Sequence, residues 1–273
     1  MKVRAALAKL ARVRVTLGYA VLLVAVAIAL VQLGPHVRNE VIQRESTNLH
    51  NLSDGRLETL IGSAFVTDGS PLYMWLPGLV ALLALAELMW RGHRLVIAFA
   101  IGHVGATLLV AAGLATALTI GVLSRKIVDV TDVGVSYGAM AVFGTLSAAI
   151  PRSRRAAWVG WWLGVAFGSA ALSGWDFTAC GHATALVLGM FLGTRFGRPA
   201  HWTTGRYALL IVAVAFGFMV ITDTDFVFLT QTALGLVGAL AADQIDRRVI
   251  RPKWSGAKDT TCGGQSAVQP PHV

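Results

Sequence analysis

Charged side chains are scarce in this chain: Asp, Glu, Lys and Arg make up 14% of its 273 residues, where a soluble domain carries about a quarter. With hydrophobic residues at 55% and a mean hydropathy of +0.65, that shortage excludes a soluble globular domain and marks a membrane protein. Acids are rarer than bases, 14 against 23, giving a net charge of +9. A nucleic-acid partner is not implied, because the bases lie in short runs between apolar segments, with no basic face interleaved with aromatics. Cysteine is nearly missing. Cys180 and Cys262 form no framework and lack metal-ligand spacing, so both are expected as free thiols. Glycine-rich phosphate loops, dinucleotide fingerprints and Walker motifs are also missing, as is any internal repeat.

What the chain does have is long apolar runs. Residues 1–14 are basic, with Lys2, Arg4, Lys9, Arg12 and Arg14 and no acid. An apolar run from Val15 to Leu33 follows; it lacks a small-residue cleavage site and is long enough to cross a bilayer, so it reads as a retained first span. Further spans are expected near residues 72–90, 95–122, 136–150, 156–173, 181–196, 207–221 and 226–242. The last two are joined by only Thr222 to Asp225, which predicts a tight helical hairpin. The expected architecture is all-α: a polytopic transmembrane helix bundle.

The loops alternate in charge. Arg91, His93 and Arg94 follow the second span, Arg152, Arg154 and Arg155 the fourth, Arg195, Arg198 and Arg206 the sixth, and Arg247, Arg248, Arg251 and Lys253 the eighth. The intervening loops are neutral or acidic, so both termini are expected in the cytoplasm of a multi-pass protein of the cell (inner) membrane. The first outer loop is long, from Gly34 to Pro71, and its GRLETLIGSAF stretch suggests a short interfacial helix. The tail after Trp254, rich in Gly, Ser, Thr and Pro, is expected to be disordered. The division is therefore a basic segment at 1–14, a membrane core at 15–196, a two-helix addition at 197–242 and a cytoplasmic tail at 243–273.

Two stretches carry candidate chemistry. In TDVGVSYGAMAVFG, Ser136 opens a short apolar helix, between Gly134 and Gly138. In SGWDFTACGHATALVLG, His182 opens a later one. Both helices run from outside to inside, which sets the two residues at similar depth near the outer surface. The fourth span has about fifteen residues against the roughly twenty needed to cross, leaving room for water above its start. A serine beside a buried histidine there could act as nucleophile and general base. The plainer reading makes Ser136 a helix cap, or half of a Ser–His hydrogen bond that holds helices together. His103 in the third span reads as a packed interior histidine towards the cytoplasmic half. Asp132 and Asp176, at the outer ends of the two helices, read as solvated loop acids. They lack the ligand spacing of a metal site with His182.

These residues resemble the rhomboid intramembrane serine proteases, which carry GxSG at the outer start of a short fourth helix and a histidine near the start of the sixth. Here GVSYG matches the first motif, and His182 with Ala185, Gly189 and Gly193 matches the second. The first outer loop, Glu87 and Gly102 also fit, over about residues 15–196. The resemblance implies a six-helix core with two C-terminal helices added. It implies catalysis by Ser136 and His182 on transmembrane protein substrates, with Gly134, Tyr137 and Gly138 beside the oxyanion and Gly144, Ala185, Gly189 and Gly193 packing the helices. Partners are then transmembrane substrates or clients and the lipid bilayer, and no metal or organic cofactor is implied. The expected function is that of an intramembrane serine endopeptidase, favoured by the retained Ser136 and His182. The alternative is an inactive, client-binding relative. Three departures bear on the choice, of which the missing His/Asn pair favours that alternative. Tyr137 replaces the glycine after the serine, and Ala141 replaces a further glycine. Pro71 and Trp75 stand where active members place a His/Asn pair to hold the oxyanion. Loss of one such donor costs about a hundredfold or more in rate.

Overall fold

The computed structural model describes residues 10–67, 71–121, 131, 133–222 and 228–250. Among them every regular element is helical. A 3₁₀ turn at Ala11–Val13 leads into α1 (Arg14–Gln32), followed by three helices in the first loop, α2 (Gly34–Glu45), α3 (Leu49–Ser53) and α4 (Thr59–Gly62). The bundle continues with α5 (Leu72–Trp90), α6 (Gly92–Thr119), α7 (Ser136–Thr145), α8 (Arg152–Leu172) and α9 (Phe177–Gly193). It closes with α10 (Thr204–Thr222) and α11 (Phe228–Ile245). Every expected span coincides with one of these helices. Four of them, Ala11–Gln32, Leu72–Trp90, Gly92–Thr119 and Thr204–Thr222, are long and apolar enough to cross a membrane by length and composition. The protein is a multi-pass helical membrane protein.

α7 is the centre. It is apolar on every side, and a helix without a polar face has to be surrounded by others. Tyr137 to Thr145 are all buried, with Ala139, Met140, Val142 and Phe143 fully so. Its ten residues rise about 15 Å, half the bilayer core. A 3₁₀ turn at Leu146–Ala148 ends it, and Pro151 then starts α8. The main neighbours of α7 are α6 and α9, with α5 and α10 behind it.

Small residues set how closely these helices approach. A Cβ on Gly189 of α9 would run into the Ala141 carbonyl of α7, and one on Gly144 into the Leu186 carbonyl. One on Gly193 would lie 2.8 Å from the Thr145 oxygen. Ala185, fully buried, lies on the same stretch of α9. On the other side of α7, Gly138 faces the Phe99 ring of α6, and Gly102 faces Ala141. Backbones this close gain dispersion contacts where lipid supplies no hydrophobic drive.

The two added helices do not pack along each other as the expected hairpin. α10 lies on α5 and α11 lies on α8. Gly160 and Gly164 of α8 meet the α11 backbone at Gly238 and Leu234, so a second glycine-lined seam draws α11 sideways. Near their connection α10 and α11 still touch, through the Phe218 and Phe228 rings at 5.2 Å. Beyond that contact they diverge around an apolar cleft of about 760 Å3 that also borders α8, with Trp158, Trp161, Phe218 and Gln231 in its walls.

The first loop is more helical than expected. The short helix foreseen in GRLETLIGSAF is α4, at Thr59–Gly62, and α2 and α3 precede it. Asn51 ties the loop together, donating to the Gln43 and Ser46 carbonyls and accepting from Arg56. The tail after Trp254, Cys262 and Asp132 lie outside the described residues.

Candidate active site

Ser136 is the first residue of α7, half-buried; Val135 holds the cap position and no side chain caps the helix, so Ser136 is not an N-cap. Gly134, two residues earlier, has φ +123°, a conformation that only glycine adopts without strain, and its N–H donates to the Ser63 carbonyl at 3.0 Å. That bond fixes the turn that aims α7.

His182 lies in the first turns of α9. Asp176 caps this helix through Oδ1, which accepts from the Thr178 N–H at 2.7 Å and the Ala179 N–H at 3.2 Å. Its carboxylate is thus committed to the helix end. His182 is buried, and its Nε2 is enclosed without a hydrogen-bond partner. Its ring meets Tyr137 edge to face, with centroids 5.6 Å apart and planes at 83°. Tyr137 also lies against Gly181, where any Cβ would strike its ring, and its hydroxyl reaches the Phe177 carbonyl at 3.4 Å. Neighbouring side chains on a helix project about 100° apart, so a start that turns Tyr137 onto α9 turns Ser136 away from that line. α7 and α9 thus bring Gly134, Ser136, Tyr137, Gly138 and His182 to one end of their seam. The packing residues Gly144, Ala185, Gly189 and Gly193 lie further along it. Pro71 is exposed at the start of α5, and Trp75 is half-buried.

A Ser–His hydrogen bond joins the first loop to α6. Ser63 Oγ and His103 Nε2 are 3.0 Å apart, both residues are buried, and His103 Nδ1 has no partner. His103 was expected towards the cytoplasmic half, away from Ser136. It lies instead at the level where α7 begins, since a Cβ on the preceding Gly102 would be 3.1 Å from the Tyr137 carbonyl. α6 is 28 residues long, about 42 Å, so its middle is far from both ends, and the first loop dips into the bundle to reach it. Tyr19 of α1 holds the same loop through its hydroxyl, 2.7 Å from the Ala64 carbonyl. The polar residue in the third span was visible in the sequence; its partner in a loop was not.

Glu87 is also structural. Its carboxylate is buried and accepts from Val15 N–H at 3.1 Å, Thr16 N–H at 2.9 Å and the Thr16 hydroxyl at 2.8 Å. It caps the N-terminus of α1 from α5, where the free N–H groups and the helix dipole favour an anion.

A family model described as rhomboid-like protein matches residues 12–195, more than half of the chain. No curated protein and no solved structure matches it.

Proposed function

Because the chain belongs to the rhomboid-like protein family, we propose that it holds transmembrane clients and does not cut them. The observation that carries this reading is Tyr137 against His182. A general base has to present a nitrogen to the nucleophile, within about 3 Å or through one water. Here the histidine packs on the ring next to the serine, and its enclosed Nε2 bonds to no side chain. Pro71 and Trp75, at the expected donor positions, supply no pair of amide and imidazole donors to an oxyanion. The apolar cleft between α8, α10 and α11 gives a client span a surface to lie on.

A second reading, an intramembrane serine endopeptidase, is favoured by one observation: the buried Nε2 of His182 is unpartnered and free to accept a proton. In that reading Ser136 Oγ attacks the scissile carbonyl of a transmembrane substrate. His182 takes the hydroxyl proton and returns it to the leaving amine. Tyr137 would first have to swing aside.

Labelling with a fluorophosphonate probe separates the two. Purified protein in detergent is expected to stay unlabelled while an active rhomboid protease labels alongside it. Labelling of the wild type that disappears in both Ser136→Ala and His182→Ala would establish the protease and end the client-holding proposal.

A further inference from the structure

At the basic end of the bundle, six arginines from separate parts of the chain surround one cavity of about 800 Å3. Arg12 comes from the first 3₁₀ turn, Arg14 from the start of α1, Arg91 and Arg94 from the α5–α6 junction, Arg198 from the α9–α10 link and Arg206 from α10. The carboxylate in the wall is Glu87, whose oxygens are already taken up by Val15 and Thr16. Two of the arginines are occupied in the fold: Arg94 donates to the Phe196 carbonyl, and Arg206 to the carbonyls of His201 and Leu88. The side chains of Arg12, Arg14, Arg91 and Arg198 make no hydrogen bond or ion pair among the described residues. A topological bias towards basic loops asks only that such charges reach water, where repulsion would spread them apart. Convergence on one concave wall does the opposite, and low-dielectric walls focus the field inside it.

Arg91 adds a backbone argument. It has φ 78° and ψ 158°, a region that glycine occupies freely and other residues adopt under strain. The strained conformation keeps a guanidinium at the cavity wall.

We propose that this cavity binds a phosphate-bearing anion, through the forked N–H groups of Arg12, Arg14, Arg91 and Arg198. Such a group reaches the site either as the headgroup of an anionic phospholipid or as free phosphate from solution.

The test is a thermal-unfolding titration of the full chain in neutral detergent, followed by tryptophan fluorescence. Dioctanoyl phosphatidylglycerol, dioctanoyl phosphatidylcholine and inorganic phosphate are the probes. Phosphatidylglycerol is expected to raise the midpoint saturably, with the zwitterionic lipid giving no matching rise. If inorganic phosphate gives the same saturable rise, the site stands and its source is free phosphate. Arg91→Gly relieves the backbone, so the variant should unfold no earlier than wild type without ligand. Even so, Arg91→Gly and Arg198→Gln should each need about tenfold more ligand, the loss of one charge-assisted contact. Arg154→Gln removes an exposed charge at the same end but outside the cavity, and should titrate like wild type. Equal responses to the two lipids with none to phosphate, a wild-type titration in both cavity variants, or an equal loss in Arg154→Gln would each overturn the proposal.

Discussion

Ser63 and His103 carry more of the architecture than their chemistry suggests. The hydroxyl and imidazole are 40 residues apart in sequence and 3.0 Å apart in space, with both residues buried. The Ser63 carbonyl also accepts the Gly134 N–H, so one loop residue fixes both α6 and the turn that starts α7. Ser63→Ala removes the hydroxyl and leaves His103 with two nitrogens that no side chain partners in a buried site. The expected loss is about 1–3 kcal/mol, because a buried polar group left unpaired bears its full desolvation cost. Thermal unfolding in detergent measures it, and an unchanged midpoint would show that the pair is incidental. Sequence alone displays the histidine as a polar residue in an apolar run. It cannot show that a loop descends to meet it, because no local periodicity encodes a contact at that separation. That α7 and α9 start at the same end was legible for a different reason: charge alternation gave the two helices a shared direction. Which of two adjacent side chains faces the histidine depends on helix rotation, which the motif does not specify.

Among the elements, the glycines show how one substitution can have opposite outcomes. Gly189 lies where a Cβ would enter the Ala141 carbonyl, and backbone cannot move aside as a side-chain tip can. Gly113 in α6 has open space around its Cβ position. Gly189→Ala should therefore cost about 3 kcal/mol, the upper range for overpacking, by prying α9 from α7. Gly113→Ala should gain up to about 1 kcal/mol through helix propensity. Unfolding midpoints of the two variants give the comparison, and a shift of the same sign in both would remove backbone contact as the basis of the α7–α9 seam. The apolar runs made every bundle helix recognisable, since a span needs sustained hydrophobicity. The partners of α10 and α11 were not recognisable. A short connection brings two helix ends together, but Gly160, Gly164 and Gly238 decide that α11 turns to α8.

At the scale of the molecule, the two ends of the bundle are built with different chemistry, and by the loop rule that difference predicts an orientation. One end gathers most of the arginines, several of which also terminate helices. Arg155 donates to the Ala148 and Ile150 carbonyls below α7, and Arg206 to Leu88 at the end of α5. These arginines thus also satisfy carbonyls that a helix end leaves free. The opposite end holds α2, α3 and α4, with His50 and Asp54 exposed and paired. We therefore expect the arginine end in the cytoplasm. In a background with Cys180 and Cys262 replaced by serine, His50→Cys should react with a membrane-impermeant maleimide on intact cells. Arg247→Cys, exposed beyond α11, should react only after the membrane is opened. The reverse pattern would put the arginine cavity on the outer surface and Ser136 and His182 at the cytoplasmic end. A client, or a substrate, would then have to be engaged from inside the cell, and phosphate would have to reach the cavity from the outer leaflet.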